Sequence, residues 1–591
     1  MTTDQPKTTA FASLVGRSPS WVQEEIGRTK EYLRALHALQ NGELRINRLP
    51  PEILTLIFLW IASVTESTGS NRWIYVSHVC SWWRAIALRS QALWTSVRST
   101  NHIDMTSACL ERSGTALLRV LYGDLFRQLT HQQWSLFARC IRGHASRFRS
   151  LEIDCQWATV IYFTTSVTAS MSKLQDLSII FSHYGVSPPA VPFDIQYASQ
   201  IPPLRSLTLD VALLPDWNLP LFRGLRELHL SGITSKLSTS QFLDMLNACR
   251  HLLEILSLHN AGPSPKDRDS LPRRTVHLAS LRQLTVSHRT RDTIPYILSL
   301  IELSGSASLV ATCIPHYGDP YVGGQDVKGV RTVLPEDTSL LLKLEDLNGL
   351  EVTVEYHSVY QKQTHRAQHK SGIMLRGYIG SSKLIKATEA RFALGLPFLD
   401  DTIRNEEYHQ SIYRVIKEVP SVFARSPLQR LHLIVPERPI FSRTLMTQDN
   451  WLSIFTTFTL LKDLEIANLS GPQDELFSGR RSLCATSTIV LNLLSPKPVE
   501  DHPDFLRVTS AHEEGLLLPH LQLLHFCSDV SWNDASVITR AWKFLAARST
   551  TTRGPITLKI LDEEWGLAKV ARCKALFEAS EAQAPAVERV D

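Results

Sequence analysis

Cysteine is sparse and scattered. The chain of 591 residues holds nine, an odd number with none close to another, so neither a disulfide framework nor a Cys-x-x-Cys zinc site is indicated. Charge of one sign is also lacking: 62 basic against 57 acidic residues leave a formal net charge of only +5, too small to draw the chain to nucleic acid or to an anionic membrane. Long apolar runs are missing as well. The richest, Ile53 to Val64, is broken by Thr55 and Ser63 and falls well short of the ~20 residues a bilayer requires. The N-terminal MTTDQPKTTA has no apolar core, which argues against a secretory signal. An intracellular address, cytoplasmic or nuclear, in a reducing compartment is therefore expected, with neither nucleic acid nor membrane as partner.

The motifs of common chemistries are absent too. GYIGSSK at 377–383 lacks the spacing and the Gly-Lys pair of a nucleotide loop. His365 and His369 are one helical turn apart, but no glutamate of a His-Glu-x-x-His motif accompanies them and the flanking residues are basic, so a solvated loop or helix face is the better reading. No Gly-x-Ser-x-Gly elbow occurs. Arg142, Arg147 and Arg149 are not interleaved with aromatics, and read as a solvated structural face. No catalysis, no cofactor and no metal are expected.

Apolar residues nevertheless make up 43% of the chain, enough for a packed fold. After a polar tail over 1–17, Ser18 or Ser20 is placed to cap a helix running from about Trp21 to Leu39, with Asn41-Gly42 as its stop; the domain it forms is set at 18–42. Its stripe of Trp21, Ile26, Leu33, Leu36 and Leu39 suits packing on the next module better than a coiled-coil dimer.

A second helix is announced by Pro50 and Pro51, which fit a helix start, and by Glu52 at the positive end of its dipole. Turning about 100° per residue from Ile53 spreads Ile57, Ile61, Leu54, Phe58 and Leu56 over an arc of roughly 200°. One buried side needs only a little over ~100°, so apolar surface is left over for deep burial or for a partner. WIYVSHVCSWWRAIALRSQALWTSV then reads as helical, with Val76, Val79, Cys80, Trp83 and Ala87 at three- and four-residue steps and Leu93 and Trp94 closing it.

LPPEIL, an apolar helix, VSHVCSWWRAIA and ALW together resemble the F-box-like module found in many fungal F-box proteins with repeat arrays, over about Ile46 to Val97. The resemblance implies a non-catalytic adaptor that binds a Skp-type protein and, through it, a cullin scaffold. On that basis the expected adaptor-contacting residues are Leu49, Pro50, Pro51, Ile53, Leu54, Ile57, Phe58, Val76, Val79, Cys80, Trp83 and Trp94.

Downstream, a template Leu-x-x-Leu-x-apolar recurs as FRSLEI (148–153), LQDLSI (174–179), LRSLTL (204–209), LRELHL (225–230), LEILSL (253–258) and LRQLTV (281–286), and again as LQRLHL (428–433), LKDLEI (461–466) and LQLLHF (521–526), with a strand-like ITLKIL at 556–561. The spacings of the first six copies are near those of leucine-rich repeats, but the Asn or Cys of regular repeats is missing. The expected fold is α/β: a small N-terminal α-helical F-box module at 43–98, followed by a degenerate leucine-rich-repeat solenoid, a curved parallel sheet with helices on the convex side. Its first part spans 99–303 and its second 422–575, separated by an irregular insertion or divergent repeats at 304–421, and a disordered tail closes the chain at 576–591. Leu204, Leu207, Leu209, Leu225, Leu228 and Leu230 are expected in the core. Arg205, Ser206, Thr208, Arg226, Glu227 and His229 between them would face a protein target.

Overall fold

The computed structural model describes residues 16–67, 72–123, 130–155, 171–181, 191–192, 204–210, 213–214, 220–232, 237–265, 274–288, 292–313, 329–335, 338, 341–361, 366–379, 390–397, 405–434, 448–467, 490–491, 493–494, 517–526, 535–551, 556–560, 563–565, 568–572 and 575. The tail at 576–591, most of that at 1–17 and the segment 314–328 lie outside them. Two compact units are formed, one by 1–188 with 196–204, the other by 189–195 with 205–591.

The first unit opens with helix α1 (Pro19–Gly42), whose Ser18 hydroxyl accepts from the Trp21 amide and whose Pro19 fills the first turn. The expected left-handed stop is not used: Gly42 has no positive φ, and the chain passes through Glu43 into a 3-10 turn at Arg45–Arg48. Helix α2 (Pro51–Ser67) starts from Pro50, whose carbonyl accepts from the amides of Ile53 and Leu54. The single helical segment expected next is broken into a 3-10 turn (Arg72–His78), helix α3 (Ser81–Arg89) and a second 3-10 turn (Gln91–Trp94). Cys80 causes the break. Its backbone is extended and its thiol sulfur accepts from the Trp83 amide at 3.4 Å, which starts a new helix instead of continuing the old one.

Strand β1 (Ser96–Arg98), helix α4 (Ile103–Arg112), strand β2 (Leu118–Gly123), helix α5 (His131–Arg142), strand β3 (Phe148–Cys155) and strand β4 (Asp176–Phe181) follow, with β1 to β4 paired in parallel and in chain order. Arg147 is not a solvated basic residue: its guanidinium donates to the Ala116 carbonyl at 2.8 and 3.0 Å and to the Ser113 hydroxyl at 2.7 Å, stapling two turns together.

In the second unit two-residue strands β5 (Val191–Pro192) and β7 (Leu213–Leu214) pair with each other. Strands β6 (Ser206–Asp210), β8 (Glu227–Ser231) and β9 (Ile255–His259) pair in parallel; helix α6 (Thr239–Cys249) precedes β9. Short β10 (Val276–Leu278) pairs with β12 (Ile301–Leu303), while β11 (Gln283–His288) joins β9 and, after helix α7 (Thr293–Ser299), β13 (Ser308–Cys313).

The segment that breaks the repeat period does not leave the sheet. Strands β14 (Gly349–Gln361) and β15 (Arg366–Tyr378) form an antiparallel hairpin, and β16 (Phe392–Pro397) returns beside β13 in parallel. Within this segment β15 runs against both its neighbours, whereas β14 pairs in parallel with β17 (Arg430–Ile434), reached through helix α8 (Asn405–Val422). His369 lies on β15, and His365 is outside the described residues. Helix α9 (Gln448–Thr457), β18 (Asp463–Ala467), β19 (Leu523–Phe526), helix α10 (Ala535–Thr551), β20 (Thr557–Ile560) and a reversed β21 (Glu563–Trp565) complete the sheet.

Each copy of the leucine template lies on one of these strands, and side chains alternate between buried and half-buried along it. Strand geometry requires this alternation, because successive side chains point to opposite faces. Leu204, Leu207, Leu209, Leu225, Leu228 and Leu230 are buried as expected, whereas Ser206, Thr208, Glu227 and His229 are half-buried on the other face and Arg205 and Arg226 are exposed. The fold is thus mixed α/β: a helical N-terminal region and a large, mostly parallel sheet.

Candidate functional site

The N-terminal helices are held by an aromatic core. Phe58 of α2 stacks obliquely on Trp83 of α3 with ring centroids 5.0 Å apart, and Trp73 meets Trp94 edge-on at 5.1 Å. The Trp94 indole donates to the Ala87 carbonyl at 2.9 Å while Arg112 covers its ring at 4.4 Å, so both the polar handle and the face of that side chain are occupied. Asn47 ties the start of this region together: its amide donates to the Asn41 carbonyl, and its oxygen accepts from the Trp83 indole, each at 2.6 Å.

Helix α2 has two apolar faces. Leu54 and Phe58, one turn apart, are fully buried at 0% exposure. Ile53, Leu56, Trp60 and Val64 recur at steps of three and four residues on the opposite side, with Leu56 61% and Trp60 68% exposed. Ile53 and Val64 are 43% and 49% exposed. Tyr75, Val79 and Trp82 are further exposed apolar side chains from the 3-10 turn and the start of α3. A shallow cavity of about 240 Å³ lies between α2 and α3, lined by Pro51, Thr55, Trp82, Ala85, Ile86, Arg89 and Ser90.

The residues expected at an adaptor contact therefore divide. Pro50, Pro51, Ile53 and Val79 are exposed; Leu49, Ile57, Cys80 and Trp83 are half-buried. Leu54, Phe58, Val76 and Trp94 are sealed in the core of their own unit, and burial removes them from any surface that a rigidly docking partner could touch. Leu56, Trp60, Val64, Tyr75 and Trp82 are the exposed apolar residues that the sequence reading passed over. For Trp60 the signal was available, because at about 100° per residue it falls between Leu56 and Ile53 on the helix.

On the second unit, one register row crosses the half-buried face of the sheet: Thr208, His229, Ser257, Thr285, Val310, Ala393, Arg376, Glu351, His432, Glu465, His525 and Lys559 are successive strand-to-strand partners. Its first part is hydroxyl-rich and uncharged, and burial lowers the pKa of His229, favouring the neutral ring. Its second part sets acidic side chains beside basic and imidazole ones. Arg376 pairs with Glu351 at 3.0 Å, His432 with Glu465 at 3.3 Å, and His525 with the same carboxylate at 3.6 Å. Among the described residues no group of three His, Cys, Asp or Glu side chains is arranged to hold a metal ion, and no helix is long and apolar enough to cross a membrane.

The helical module combines a sealed aromatic core with a second, exposed apolar helix face. Residues 46–100 match the F-box-like family model, so the N-terminal region is an F-box-like domain. F-box domains in general bind Skp-type adaptors. No curated protein matches the chain.

Proposed function

We propose that the chain is a non-catalytic, intracellular substrate-recognition adaptor of an SCF-type cullin-RING ubiquitin ligase, working in the cytoplasm or nucleus. In this reading the F-box-like domain binds a Skp-type adaptor and, through it, a cullin scaffold, while the half-buried face of the large sheet, read as a degenerate leucine-rich-repeat platform, binds a target protein. The observation that carries it is the second apolar face of α2: Ile53, Leu56, Trp60 and Val64 stay in solvent after Leu54 and Phe58 have satisfied the domain's own core. Covering such a stripe is what a partner helix or groove does in helix-in-groove recognition. The repeat reading is supported by the fall of every template copy on a strand with its leucines buried.

The mechanism is proximity. Two binding surfaces on one chain raise the effective concentration of the target near a ligase-bound ubiquitin donor, and the bond-making belongs to other subunits. The test is co-elution of the full chain with a purified Skp-type adaptor, compared with a chain lacking residues 46–97. A stable complex with the first and none with the second is expected. No complex with either would leave a protein-binding scaffold that recruits no ligase.

A further inference from the structure

Helix α1 runs for 24 residues, a rod of about 36 Å, and none of its residues is buried. It was expected to pack on the next module; instead Ile26, Leu33, Leu36 and Leu39 are all exposed. It carries Gly27 in its interior, which costs about 1 kcal/mol relative to alanine, and a helix that buries no side chain fully is marginal in water. A covering partner is therefore wanted, and the spacing of the stripe says which kind.

Val22, Ile26, Thr29, Leu33, Leu36 and Gln40 follow one another at steps of four, three, four, three and four. That is the a/d seam of a heptad repeat, with Ile26 and Leu33 at a and Val22, Thr29 and Leu36 at d. Such a seam is self-complementary, since knobs of one helix fill holes of an identical one. The flanking charges agree with a parallel pair. Glu25 falls at g and Lys30, five residues on, at the following e, the two positions that face each other across a parallel two-stranded coil; within one helix Glu25 pairs with Arg28 at 3.1 Å, a contact the interhelical pair would share, and the two-fold axis makes the interhelical contact twice. An antiparallel pair would instead set e against e, bringing Lys30 near its own copy.

We infer that α1 is a self-association element: two copies of this chain pair in parallel through Val22, Ile26, Leu33 and Leu36, with Glu25 of each helix facing Lys30 of the other. The seam is only about three heptads long and includes Thr29 and Gln40, so the dimer is weak and dissociates on dilution. It presents two target-binding sheets and two F-box-like domains in one particle.

Sedimentation velocity on the full chain at increasing concentration tests this. The parent chain is expected to pass from monomer to dimer by tens of micromolar, and Ile26→Asp with Leu33→Asp to stay monomeric throughout. Because α1 buries nothing, the thermal unfolding of that variant should match the parent's. E25K and K30E should each weaken the dimer, and the double variant should restore it. A parent chain that remains monomeric, or a dimer indifferent to the two aspartates, overturns the inference; failure of the charge-swapped double variant to recover overturns the parallel register. Binding of a Skp-type adaptor by the monomeric variant keeps this result separate from the function proposed above.

Discussion

The indole N–H of Trp83 donates to the side-chain oxygen of Asn47 at 2.6 Å, joining the turn before α2 to the middle of α3. Both ends of the Asn47 amide are in use, since its nitrogen holds the Asn41 carbonyl at the end of α1. Asn47→Ala deletes both bonds and leaves a half-buried indole N–H without its acceptor, at a cost of about 1–2 kcal/mol. Thermal or urea unfolding of the first unit should register that loss, and an unchanged transition would show that the bond contributes nothing.

The sheet carries a pH dependence centred on His432. Burial by itself would lower the imidazole pKa, but Asp463, Glu465 and Glu351 surround the ring, and their combined pull holds the pKa above the usual 6.5. The Nε2 atom sits 3.6 Å from Asp463, an ion-pair distance rather than a hydrogen bond, while Nδ1 is 3.3 Å from Glu465. A folded-state pKa raised above the unfolded one means that the protonated ring stabilises the fold below about pH 6.5, and that this contribution is lost as pH rises through the folded value. Unfolding midpoints of the second unit should therefore fall between about pH 6 and pH 8 in the parent and change less in His432→Gln. Equal slopes for the two proteins would contradict the assignment.

Arg548 of α10 is fully buried, and its guanidinium caps main-chain oxygens. Nη1 donates to the Leu518 carbonyl at 2.8 Å, Nε to that of Leu494 at 3.3 Å, and Nη2 to that of Leu517. Leu518 is itself in the left-handed region at φ 51°, uncommon for a residue with a side chain, so the guanidinium braces a costly turn. Burial pushes the Arg548 pKa down to about 10, which still leaves it charged at neutral pH. Arg548→Leu strips these carbonyls of donors and should cost on the order of 3 kcal/mol in chemical denaturation. Arg548→Lys should recover only part of this, because an ammonium cannot reproduce the fork.

The strands were legible because the leucine template is a two-residue alternation that only a strand with one buried face can satisfy. Leu228 and Leu230 on β8, and Leu431 and Leu433 on β17, show the same pattern in strands far apart in the chain. What lay between was not legible for a topological reason. The β14–β15 hairpin inserts one reversed strand into a parallel ladder, and pairing direction leaves no mark on a single strand's composition. In the F-box-like domain the width of the apolar arc on α2 pointed to surplus surface, but it could not say which half the domain would claim. Tertiary packing assigned Leu54 and Phe58 to the inside and Leu56 and Trp60 to the outside. The break at Cys80 leaves little mark on the sequence because a cysteine is a weak helix cap, and α1 takes in Asn41-Gly42 as its last two residues instead of stopping before them.

Adaptor binding as proposed requires the outer face of α2 to be a contact surface, and Trp60 is the most exposed member of that face. Trp60→Asp leaves the core untouched and should preserve the parent's unfolding transition. If that indole is a buried anchor in the complex, the substitution should cost more than about 2 kcal/mol of binding, a loss of roughly thirtyfold or more in affinity. The decisive measurement is the dissociation constant of a Skp-type adaptor for the full chain and for Trp60→Asp, determined side by side by titration calorimetry. Tight binding by the parent and a collapse in the folded variant are predicted; equal affinities, or no binding by the parent, would contradict the account.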